Sequence, residues 1–132
     1  MASLTSRLDA TLTLSGLLDK LRQAWNRETS ATPDAWRANR PSIGQCAVTA
    51  LVVQDHFGGV LQRCIVDGSV SHYSNLFEID NDGQPVPVSC DLTRDQFPKN
   101  AHFSEPELRE RDYVLSYPAT AARYALLNER LK

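Results

Sequence analysis

The sequence predicts an α+β fold: an N-terminal helix and a central cysteine-bearing helix packed on a small antiparallel sheet and closed by a C-terminal helix. Three observations lead there. Apolar residues recur at helical spacing near both ends, as Leu17, Leu18, Leu21 and Trp25 and again as Ala121, Tyr124, Leu127 and Leu131. A nearly all-apolar helical stretch follows Cys46. Three short β-rich runs then lie between turn signals at Asp67-Gly68 and Asn81-Asp82-Gly83.

Taken in order, residues 1–12 read as a loosely held lead-in and residues 14–28 as the first helix, with Thr13 or Ser15 as its N-cap. From 28 to 44 the chain is rich in Thr, Pro, Asn and Arg. Pro33 and Pro41 forbid a continuous helix there and Gly44 permits a tight turn, so this segment is a structured loop that delivers the chain to Cys46. Trp36 within it is expected to anchor in the core. Residues 45–57 form the central helix, with Ala47, Val48, Ala50, Leu51, Val52 and Val53 giving it an apolar surface nearly all round, and Gly58-Gly59 ends it. Strands are expected at 60–67, 71–79 and 86–92, the last irregular or at an edge because Pro85 and Pro87 lack ladder donors. Ser104 as N-cap and Pro106 predict a short helix at 105–111, and the last helix covers 119–131.

Length and charge narrow the function. At 132 residues the chain is expected to form one domain, 1–132. The net charge of −2 comes without any block of Lys and Arg, so nucleic-acid binding is not expected. No stretch is apolar for long enough to cross a bilayer and the N-terminus has no unbroken apolar run, so a cytoplasmic protein that keeps off the membrane is expected. Three cysteines cannot all pair within one chain, and Cys46, Cys64 and Cys90 are expected to be reduced thiols. Cys-x-x-Cys and His-x-x-x-His spacings are missing, and Gly58-Gly59 follows a helix instead of leading into one, so neither a metal nor another cofactor is expected.

The placement of Cys46 is the functional clue. Unpaired N–H groups and the positive dipole end of a helix favour a thiolate, which is the form that attacks carbon. His72 and Asp91 follow on successive strand segments. If the intervening hairpin turns on Asp82-Gly83, residues whose numbers sum to 165 are opposed, and His72 and Asp91 fall on one sheet face. A turn centred on Asn81-Asp82 also puts them on one face. Cys90 then points away from Asp91, and Asn75 away from His72. Nucleophilic catalysis needs a thiol, an imidazole that shares its proton and a third group that orients the ring, and Cys46, His72 and Asp91 supply these types. Gln45 and the backbone N–H of Cys46 are the expected donors to an oxyanion.

The segments Gly44-Gln45-Cys46-Ala47-Val48-Thr49-Ala50-Leu51, Phe57-Gly58-Gly59, Ser71-His72-Tyr73-Ser74-Asn75 and Asp91-Leu92-Thr93 with Gln96-Phe97 resemble the YunG-like family of small bacterial proteins. Ser74 stands where an aromatic residue is expected. That resemblance spans about Trp36 to Phe97 and brings no reaction with it. In outline, a helix-borne Cys followed by a strand-borne His and Asp also resembles a reduced papain-like or transglutaminase-like core. This second resemblance implies thiol-based acyl transfer on an amide or ester substrate, with Cys46 as nucleophile, His72 as base and Asp91 as orienter. The function expected is therefore a small cysteine-dependent hydrolase, amidase or acyl transferase. The alternative is a non-catalytic binding module on the same scaffold, with Cys46 merely buried.

Overall fold

The computed structural model describes residues 4–132 and is α+β, with four helices and a four-stranded antiparallel sheet among those residues. The first helix, α1 (Arg7–Ala24), begins seven residues earlier than its apolar stripe suggests. Ser6 is its N-cap, accepting a hydrogen bond from the Asp9 N–H at 3.1 Å. The early turns carry Leu8 and Leu12 on the solvent side, 69% and 64% exposed, which is why the buried periodicity begins only further on. The lead-in is also less loose than expected, because the Asp80 N–H donates to the Thr5 carbonyl at 2.8 Å and ties it to the sheet. Residues 1–3 of that lead-in lie outside the described residues. α1 stops at Ala24 because Asn26 starts a separate 3-10 turn, Arg27–Thr29, through reciprocal capping bonds with Thr29.

The sheet consists of β1 (Val60–Val66), β2 (Val70–Asn81), β3 (Gln84–Cys90) and β4 (Glu107–Arg109), in the order β3-β2-β1-β4. Asp82 and Gly83 have φ of 54° and 86°, the two positive values that a type I′ turn requires, and this fixes Asn81 opposite Gln84. Pro85 and Pro87 are tolerated because β3 is an edge strand. β4 corrects the helix expected at 105–111. The free edge of β1 takes this segment as a strand, pairing Leu61 with Arg109 and Arg63 with Glu107, and Ser104 Oγ accepts from the Ile65 N–H at 2.8 Å instead of capping a helix. The helix there comes later, as α3 (Arg111–Leu115).

The central helix α2 (Cys46–Phe57) serves two apolar clusters at once, which is what its all-round apolar sequence requires. Val48, Val52 and Val53 pack with Leu21, Trp25, Phe77 and Leu127, whereas Ala50 and Leu51 pack with Leu61 and Val114. The Asn75 amide donates to the Ala50 carbonyl at 2.9 Å, pinning α2 to the face of β2 that carries Phe77 and Ile79. Trp25 is the tryptophan of the core, donating to Thr49 Oγ1 at 2.9 Å. Trp36, expected there, is only half-buried: its indole N–H donates to the Pro41 carbonyl at 3.0 Å and Arg27 lies over its ring. The last helix, α4 (Pro118–Leu131), covers α2 and α1, with Leu127 fully buried. No helix among the described residues is long and apolar enough to cross a membrane.

Burial along α1 sets a contrast for stability. Leu21→Ala should cost about 2–5 kcal/mol in urea unfolding, the range for emptying a packed leucine site, whereas Leu12→Ala on the exposed early turns should stay within about 0.5 kcal/mol. Equal losses at the two positions would contradict the helix start at Arg7.

Candidate functional site

Cys46 is the first residue of α2 and is half-buried. Gln45, the preceding cap position, makes no side-chain capping bond, and the first i→i−4 bond of the helix runs from the Thr49 N–H to the Gln45 carbonyl at 3.0 Å. The N–H groups of Cys46, Ala47 and Val48 precede that bond, so the positive end of the helix is gathered at the thiol. The loop before it is held by backbone contacts. Ala31 N–H donates to the Gly44 carbonyl at 2.8 Å, and Ser30 Oγ to the Ile43 carbonyl at 2.8 Å.

His72 sits on β2, opposite Cys64 of β1, with 1% of its side chain exposed. Its Nε2 donates to Asp91 Oδ2 at 2.6 Å. The β2–β3 pairing follows the 165 register, but its ladder ends at Asn75 opposite Cys90. Asp91 therefore lies just past the strand end, not on the strand, and the chain turns there across the part of β2 that β3 leaves uncovered. The second carboxylate oxygen shapes this turn, accepting from the Thr93 N–H at 3.2 Å and from Thr93 Oγ1 at 3.4 Å. Gln96 Nε2 donates to Thr93 Oγ1 at 3.1 Å, and Gln96 Oε1 accepts from the Gly44 N–H at 3.1 Å. A continuous run of hydrogen bonds thus leads from the imidazole to the loop two residues before the thiol.

The rings of Phe97 and Phe103 stand edge-on to His72 with centroids 5.0 and 5.7 Å away. Burial beneath them works against the charged imidazole, but the Asp91 hydrogen bond and the neighbouring Cys46 thiol outweigh it and lift the His72 pKa from 6.5 to about 9. With Nε2 committed to Asp91, the ring nitrogen left toward Cys46 is Nδ1, which is buried and makes no hydrogen bond of standard geometry. Cys46, His72 and Asp91 are thereby brought together.

Gln45 is placed differently from its expected role. It is fully buried, and its amide Nε2 donates to the Asn26 carbonyl at 3.0 Å, so it braces the 3-10 turn against the start of α2 instead of presenting a donor at the surface of the site. Cys90 faces the core, as the alternation requires, and burial pushes its thiol up to about 11. Cys64 is nearer the site than its strand position alone suggests, with burial first, then Asp91 and Cys46, raising its pKa while Arg94 lowers it. Ser74 Oγ accepts from Gln62 Nε2 at 3.1 Å, a polar contact in place of the expected aromatic wall. All three thiols are free.

Sequence reasoning missed Thr93 and Gln96 as links, Phe103 as a cover and Arg123 on α4, half-buried beside Thr120. Gln96-Phe97 was visible as a recurrent pair of the family pattern, whereas Phe103 and Arg123 come from segments that carry no local signal.

The raised pKa of His72 makes stability depend on pH. A group protonated more tightly when folded contributes stability that is complete below about pH 6.5 and is lost as pH rises through about 9. Cys90 adds to the loss only above its ordinary value of 9.0. Thermal unfolding followed from pH 6 to 10 should therefore show a fall between 6.5 and 9 that is shallower in Asp91→Asn. Parallel curves for the two proteins would rule out the His72–Asp91 pair as its source.

No solved structure matches the chain. It is 37% identical over 95 residues to the uncharacterized protein YunG of Bacillus subtilis (strain 168), an overlap that covers 71% of this chain and 72% of the relative. The family described as YunG protein matches residues 13–132. The site residues from Cys46 to Arg123 all fall inside that match, and the chain belongs to the YunG family.

Proposed function

We propose that this chain is a cysteine-dependent hydrolase, amidase or acyl transferase built on a papain-like arrangement, acting on an amide or ester. The observation that carries this reading is His72: one ring nitrogen is fixed on a carboxylate at 2.6 Å, and the other is buried, without a partner and on the side of a helix-terminal thiol. Most buried polar atoms with a purely structural role are paired, so a free imidazole nitrogen on the side of a thiol favours a chemical one.

In this reading the Cys46 thiol passes its proton to His72 as it attacks, with the end of α2 and Asp91 favouring the thiolate and imidazolium that result. The thiolate attacks the carbonyl carbon and an S–C bond forms, while the carbonyl oxygen takes the electron pair. The Cys46 backbone N–H, at the unpaired first turn of α2, stabilises that oxyanion in place of the buried Gln45 amide. The imidazolium gives its proton to the leaving amine or alcohol as the C–N or C–O bond breaks, leaving a thioester on Cys46. Neutral His72 then takes a proton from water, or from an acceptor amine, as it attacks the thioester, and the thiolate leaves. Asp91 fixes the tautomer and ring orientation throughout. Three unpaired thiols fit a reducing compartment, so we place this chemistry in the cytoplasm.

p-Nitrophenyl acetate tests the reading without knowledge of the natural substrate. Cys46 should become acetylated, seen by peptide mass spectrometry, with a matching burst of nitrophenolate. Cys46→Ser should abolish the burst, and His72→Ala should slow it about 10²–10⁴-fold, the usual worth of a positioned acid–base group. Acetylation spread evenly over Cys46, Cys64 and Cys90, or a burst unchanged in His72→Ala, would sink the catalytic assignment and leave a binding module.

A further inference from the structure

A cavity of about 280 Å³ opens beside the first turn of α2. Ala47, the residue after the thiol, forms part of its wall, and Tyr73, Tyr113, Tyr117, Thr120 and Arg63 form most of the rest. The phenol oxygens of Tyr113 and Tyr117 lie 3.2 Å apart, and their rings meet edge to face. Arg63 is held by a 2.6 Å bond from its Nε to Ser71 Oγ, which leaves both terminal guanidinium nitrogens to face outward chemistry. Arg123 stands one turn beyond Thr120 on α4 and donates to Thr120 Oγ1 at 3.2 Å. Its Nε is buried without a partner.

Neither cation forms an ion pair: Glu107, opposite Arg63 across the β1–β4 ladder, turns its carboxylate to Arg109 instead. Among the described residues, the ion pairs engage Arg22, Arg109, Arg111, Lys132 and His72, and none involves Arg63 or Arg123. No acidic side chain lines the cavity. A half-buried guanidinium with an orphaned N–H is costly unless something anionic completes it, and guanidinium forks match carboxylates in shape as well as charge.

We propose that this cavity is an acyl-side subsite that selects amide or ester substrates carrying a carboxylate, with Arg63 in its wall as the cation that meets the carboxylate and Arg123 supporting it from behind Thr120. The assignment rests on Cys46 being the nucleophile. The tyrosine wall supplies a flat apolar surface for the carbon skeleton between the two ends, with phenol groups that hydrogen-bond at its rim. Arg123 and Arg63 are specificity-determining residues in this scheme and take no part in the proton transfers.

Two alkylating reagents that share one reaction separate this proposal from the reading beneath it. Iodoacetate and iodoacetamide both place a carbon on sulfur and release iodide, but only iodoacetate brings a carboxylate. Their rate ratio at Cys46, divided by the same ratio for the urea-unfolded chain, cancels the fraction of thiolate and reports recognition of the anion alone. In the native protein it should favour iodoacetate about fivefold to tenfold, the order expected for one half-buried charge pair. Arg63→Gln should bring it close to one, Arg123→Gln should lower it in part, and Arg63→Lys should keep it. A normalised ratio of one in the native protein overturns the carboxylate subsite while Cys46 stands as nucleophile. A preference that survives both glutamine variants also overturns it, assigning the field to α2 and His72. Failure of Cys46 to react with either reagent in the native state removes the nucleophile, and the subsite with it.

Discussion

One run of hydrogen bonds holds the site at its working geometry. His72 donates to Asp91, Asp91 accepts from Thr93, Thr93 accepts from Gln96, and Gln96 accepts from the backbone of Gly44. The middle links close the turn from Asp91 to Gln96 and the outer two reach β2 and the loop into α2, so the end of β3, the 3-10 turn at Arg94–Gln96 and that loop are fixed together. Such a run matters because the chemistry tolerates little displacement between thiol and imidazole. α2 alone would place Cys46, and β2 alone would place His72. It is the polar run along the uncovered end of the sheet that sets one against the other, supported on the opposite side by the Asn75 bond to the Ala50 carbonyl.

Much of the fold was legible because its signals are local. Gly58-Gly59 ends α2, Asp82-Gly83 sets the hairpin register, and the prolines of β3 demand an edge, each through the backbone geometry of the residues themselves. The errors fall where distant partners decide. Nothing in the first turns of α1 marks them as helical by burial, since Leu8 and Leu12 face solvent and only the Ser6 cap declares the start. The 107–109 segment has good helix-start residues nearby, but the open edge of β1 offers it a ladder, and tertiary pairing overrides local preference.

The site divides in the same way. That Cys46, His72 and Asp91 come near one another was expected from residue type and order, although Asp91 lies just past the strand on which parity placed it. The roles of the surrounding groups were not, because they depend on which loops return to the site. Gln45 illustrates the difference: its adjacency to the thiol suggests a donor to substrate, yet the chain bends so that its amide meets the Asn26 carbonyl inside the protein. Arg123 is the opposite case, a charged residue on an amphipathic C-terminal helix that local pattern assigns to solvent and that packing half-buries against Thr120.

Gly44 turns this local geometry into a constraint on the sulfur's position. It has φ of +75°, and a β-carbon there would come within 2.7 Å of Thr32 Oγ1 and 2.9 Å of the Thr32 backbone nitrogen. The loop is therefore seated tightly against the Ser30 and Thr32 hydroxyls and the Thr32 backbone, two residues before the thiol, with no room for a side chain. Drift at most positions of a small domain is buffered by repacking, but here any added atom is transmitted down the chain as a displacement of the sulfur. A residue other than glycine at this position is therefore expected to shift Cys46 relative to the sheet.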